Sequence, residues 1–70
     1  MKQYDYSLLL GKMRERNETQ ASIAAVLGIS AGTLNAKLNN KTEFVQSEII
    51  ACSKHLGIQD ITKYFFVERL

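Results

Sequence analysis

Proline and tryptophan are absent from this chain, and cysteine and histidine occur once each. Without proline nothing rigidly interrupts a helix, and with four glycines in 70 residues the chain is expected to form helices joined by short turns. The single Cys52 excludes an internal disulfide framework and any cysteine-rich zinc site, which fits a reducing cytoplasm. With His55 as the lone imidazole, no clustered ligand set exists, so neither a metal nor a cofactor is expected. No apolar run approaches the roughly 20 residues that cross a bilayer, and the start of the chain lacks the basic and apolar regions of a signal peptide. No partner membrane is expected. Charge of one sign is also scarce: nine Lys and Arg against seven Asp and Glu leave +2, a mild hint of a polyanionic partner. Nothing pairs a nucleophile with a base, and no glycine loop is built to cradle a phosphate. The chain is read as a non-enzyme without a small-molecule ligand.

What is present is ordinary globular composition, 46% apolar and 23% charged, in a chain long enough for one core. Periodicity divides it into five short helices. The first begins near Asp5 or Ser7 and runs to about Arg16, with Tyr6, Leu9, Leu10 and Met13 on one stripe and Asn17 as a left-handed terminator. The second opens on the N-cap Thr19 and turns Ile23, Ala24 and Leu27 inward. Gly28 ends it, since glycine directly after a periodic leucine reads as a positive-φ C-cap. Ser30 caps a third helix that is anchored by Leu34 and Leu38 and runs to about Asn39. After the polar turn from Asn39 to Thr42, Phe44 plugs the core. A fourth helix from about Gln46 to Leu56 carries Ile49, Cys52 and Leu56 on one face with Ile50 beside them, and Gly57 ends it. His55 lies near the C-terminus of this helix, where positive charge is favoured. A short fifth helix starts at Asp60.

The stretch from Thr19 to Leu34, TQASIAAVLGISAGTL, resembles the helix-turn-helix of the phage Cro and repressor family. Ala24 is small where two helices cross, Gly28 makes the sharp turn, and Ile23, Leu27, Ile29 and Leu34 are the pegs that set the angle. Beyond the motif, Lys37-Leu38-Asn39-Asn40-Lys41, Phe44, Glu48-Ile49-Ile50 and Tyr64-Phe65-Phe66 are similar to small regulators of temperate phages from Gram-positive bacteria, Cro-like repressors and short modulators that act with a repressor. Asn40 stands where that family usually has glycine. The resemblance implies an all-α, lambda-repressor-like DNA-binding domain over residues 1–70, with its motif at about 19–39, in the cytoplasm of a bacterial host. It also implies that the third helix enters the major groove of double-stranded operator DNA, with Gln20 and the Asn39–Thr42 turn, including Lys41, on phosphates.

The residues assigned to the DNA-binding face are Gln20, Ser30, Ala31, Gly32, Thr33, Asn35, Ala36, Lys37, Asn39, Asn40 and Lys41. At about 100° per residue, the outward centre of the third helix falls on Gly32 and Ala36, flanked by Thr33, Asn35 and Asn39, with Lys37 placed to meet a phosphate. Direct readout relies on Arg or Lys to guanine and on Asn or Gln to adenine, and the centre of this face offers neither. Two readings follow. The protein binds operator DNA through helix three, alone or with a repressor. Alternatively it is a modulator or antirepressor that covers the DNA-binding domain of a phage repressor without reading DNA itself. Tyr64, Phe65, Phe66, Val67 and Leu70 put many large apolar groups at one end of a small chain. Two or three of them are expected to close the bottom of the core, Phe65 or Phe66 among these, and the rest to form a patch; Phe65, Phe66, Val67 and Leu70 are assigned to an interface, either with a repressor or in a homodimer.

Overall fold

The computed structural model describes residues 2–70, which form five helices: α1 Ser7–Glu15, α2 Gln20–Leu27, α3 Ala31–Leu38, α4 Gln46–Leu56 and α5 Ile61–Phe65. The all-α expectation holds, and the local signals explain each boundary. The Asp5 carboxylate accepts the Ser7 N–H at the start of α1, and Asn17 leaves the helix at φ 58°. Thr19 and Ser22 form a reciprocal capping box at α2. Gly28 closes that helix at φ 71°; its N–H reaches Ala25 O at 3.2 Å while Ile29 N–H reaches Ala24 O at 3.0 Å. The Ser30 hydroxyl accepts the Thr33 N–H, Glu48 accepts the Val45 N–H, and Asp60 accepts the Lys63 N–H. Each of these oxygens satisfies an amide that the helix itself leaves without a partner.

The core is one cluster. Tyr6, Leu9 and Met13 from α1 and its cap meet Ile23 and Ala24 of α2, Leu34 and Leu38 of α3, and Cys52 and Leu56 of α4. Phe65 of α5 and Ile58 close the base. Phe44, half-buried, stands edge-on to both Tyr6 and Phe65 with ring centroids 5.4 Å apart in each pair. Phe65 itself is 1% exposed, so its interface assignment is corrected: the ring belongs to the core. At the base of α2, Glu18 takes a hydrogen bond from the Ser22 hydroxyl at 2.6 Å and lies 2.9 Å from His55 Nε2. The Ser22 bond first, then His55, hold the Glu18 carboxyl below the usual carboxylate range.

The two ends of the chain lie side by side. Tyr4 and Glu68 form a single antiparallel bridge, with Asp5 N–H on Val67 O at 2.7 Å and Arg69 N–H on Gln3 O at 2.8 Å. Asn40 ties this pair to the helices. It sits at φ 62° and is 5% exposed; its side chain accepts the Tyr4 N–H at 2.8 Å and donates to Tyr4 O at 2.9 Å. Glycine would keep the left-handed backbone and lose both bonds. Asn40→Gly is therefore expected to cost about 1–3 kcal/mol, two hydrogen bonds at about 0.5–1.5 kcal/mol each. Amide exchange at Tyr4 and Asp5 should accelerate more than exchange in α2. Unchanged protection at Tyr4 would show that the tie carries no energy.

Candidate docking face on α2 and α3

Helices α2 and α3 are joined by three residues, Gly28 to Ser30, and their axes turn by 103° at the break. Ala24, 2% exposed, permits the close crossing, and Ile23 and Leu34 lock it from beneath. The outer surface of the pair consists of Gln20, Ala21, Ala25, Val26, Ala31, Gly32, Thr33, Asn35 and Asn39, all exposed, with Ala36 half-buried beside them. No charged residue occurs between Glu18 and Lys37. That uncharged stretch is visible in the sequence itself, as an 18-residue gap between charges. No single helix among the described residues is long and apolar enough to cross a membrane.

The polar groups on this face are largely committed to one another. The Ser30 hydroxyl holds the Thr33 N–H at 3.0 Å and donates to the Thr33 hydroxyl at 2.8 Å. The Asn39 amide donates to Asn35 O at 2.8 Å and to Asn35 Oδ1 at 3.2 Å. Adding a Cβ at Gly32 would meet only Ser30 Oγ, at 4.0 Å, so glycine is not required here by packing.

Two residues assigned to phosphate contact are corrected. Lys37 is 7% exposed and turned inward. Its ammonium lies 3.0 Å from Glu48 Oε1 and 3.0 Å from the carbonyl of Glu43, cinching the connection between α3 and α4. The Glu48 oxygen that receives it also accepts the Val45 N–H, so three elements share one atom. Asn40 is withdrawn by its bonds to Tyr4. Lys41 and Gln20 remain exposed, Gln20 as the first residue of α2 and Lys41 three residues past the end of α3. Of the C-terminal group, Phe66, Val67 and Leu70 are exposed while Phe65 is not.

The remaining reactive groups are quiet. Burial pushes the Cys52 thiol up to about 11, far from thiolate chemistry at neutral pH. Burial, then Tyr4 and Glu43, push the Tyr6 hydroxyl above the ordinary tyrosine range. Among the described residues no three His, Cys, Asp or Glu side chains gather as a metal site.

No curated protein matches the chain. A solved structure does: the solution structure of the modulator of repression (MOR) of the temperate bacteriophage TP901-1 from Lactococcus lactis is 43% identical, with a TM-score of 0.74 over 90% of this chain and 88% of that one. A family described as "Protein of unknown function (DUF739)" matches residues 2–68. Since that match takes in nearly all of the sequence, the chain belongs to the DUF739 family.

Proposed function

We propose that this protein is a phage-type transcriptional regulator that acts by contact with a repressor. In this reading residues 1–70 form one helix-turn-helix domain, with the motif at 19–39, working in the cytoplasm of a bacterial host. The exposed face of α2 and α3 docks on the DNA-binding domain of the repressor and blocks or alters its use. One observation carries the proposal: the only cation on α3, Lys37, is folded into an ion pair with Glu48, so the outer face of the pair is small and uncharged. Duplex DNA is held chiefly by neutralising phosphates, and of the two lysines assigned to this face only Lys41, past the end of α3, stays exposed to meet one. A partner protein needs close approach and shape fit instead, and Ala25, Ala31, Gly32 and Ala36 permit it. The similarity to a phage modulator of repression supports the same choice.

The test is a gel-shift titration on the DNA flanking its gene, with the protein alone and then with the neighbouring repressor. The protein alone is expected to leave the DNA unshifted and to change the repressor's shift. Gly32→Arg, which the open space at this position accommodates, should weaken that effect about tenfold or more, the equivalent of roughly 1.4 kcal/mol. Its far-UV circular dichroism should be unchanged. A discrete shift by the protein alone, falling steeply with salt by about 0.9 log unit per log salt for each neutralised phosphate, would overturn the proposal in favour of a Cro-like operator binder.

A further inference from the structure

A groove of about 630 Å³ opens between the paired chain ends, the 43–50 segment and α5, and no residue of α1, α2 or α3 lines it. Its wall is aromatic. Phe66 stands edge-on to Tyr4 at 5.9 Å, Tyr4 lies 6.3 Å from Tyr6, and Tyr6 continues through Phe44. Large apolar groups stay in water along it, with Phe66 48% and Ile50 41% exposed. Apolar and aromatic side chains gathered on a concave wall offer a seat for an apolar group of a partner.

Charge selects the occupant. Glu43 is the one charged residue of the lining, and no cation among the described residues pairs with its carboxylate; Lys37 uses only its backbone carbonyl. A second copy packed symmetrically on this face would add a second carboxylate and no cation to the interface. A cation is favoured instead, by Glu43 and by the exposed parts of the Tyr4 and Phe66 rings. We propose that the groove docks a short segment of another protein in which an apolar side chain is followed by arginine or lysine. The apolar side chain fills the space over Tyr6 and Phe44, and the cation sits between Glu43 and the aromatic rim. Because the groove and the α2–α3 face share no residue, both can be occupied at once.

The experiment needs no repressor, so its failure leaves the reading of the α2–α3 face standing, and the reverse also holds. The ¹⁵N-labelled protein is titrated with the blocked tripeptide Ac-Phe-Arg-Leu-NH2 and with Ac-Phe-Glu-Leu-NH2. Saturable shifts are expected at Tyr4, Glu43, Ile50 and Phe66, with the acidic peptide weaker by about two- to fivefold, as loss of one exposed ion pair provides. Glu43→Gln should abolish the preference while leaving the rest of the spectrum in place. The proposal is overturned by absence of saturable shifts or by equal affinity for the two peptides. It is also overturned by shifts at these residues that follow protein concentration without peptide, since a second copy would then be the occupant.

Discussion

Phe65→Ala is expected to remove cooperative folding, or nearly so, at physiological temperature. The ring is 1% exposed and closes the base of the core against Phe44, where α5 packs on α1 and α4. Truncating a buried phenylalanine costs about 3–5 kcal/mol, because the transfer energy is lost and a cavity remains. At about 0.05–0.15 kcal/mol per residue, a domain of this length holds only about 4–10 kcal/mol in all. Each kcal/mol moves the melting temperature of a small domain by about 4–8 °C, so a thermal melt should fall by roughly 15–30 °C or lose its transition. Phe66→Ala, one residue on, is expected to melt within a few degrees of the wild type, since that ring is half exposed. Equal losses at the two positions would contradict the division of the C-terminal aromatics into core and surface.

Lys37→Met should destabilise almost as much, through charge instead of volume. The Lys37 and Glu48 side chains are 8% and 11% exposed, so removing the cation strands a carboxylate that water barely reaches. Breaking one side of such a pair costs about 3–5 kcal/mol. The double variant Lys37→Met with Glu48→Gln should recover most of that loss. Glutamine keeps an oxygen for the Val45 N–H and carries no charge to desolvate. Chemical denaturation of the wild type, both single variants and the double variant closes the cycle, and a large coupling energy is expected. A lysine engaged with DNA phosphate in place of Glu48 would behave otherwise: its loss would leave stability nearly unchanged. Within the proposed function, the double variant should still alter the repressor's shift, because neither side chain reaches the docking face.

Several features were legible in the sequence because their causes are local. Gly28 and Gly57 end helices at φ 71° and 70°, Asn17 and Asn40 take left-handed backbone, and Thr19, Ser30 and Asp60 cap the helices that follow them. The stripes of α1, α2 and α3 needed only helical periodicity to be read. The uncharged run from Thr19 to Ala36 was equally open to inspection, as an absence between two charges.

Only the tertiary structure decided the direction of Lys37, the use of Asn40 and the fate of the C-terminal rings. A lysine one position before the core leucine Leu38 reads as a solvent residue until α4 brings Glu48 to within 3.0 Å of it. Asn40 reads as a turn former until the chain's beginning, 36 residues away, offers the Tyr4 amide and carbonyl. Phe65 and Phe66 are identical in type and adjacent in order, and packing alone sends one into the core and the other to the rim of a groove. Caps, turns and periodicity depend on neighbours along the chain and are written in it by position. The fate of a flexible or amphipathic side chain depends on which distant group arrives beside it, and that is settled only when the helices pack.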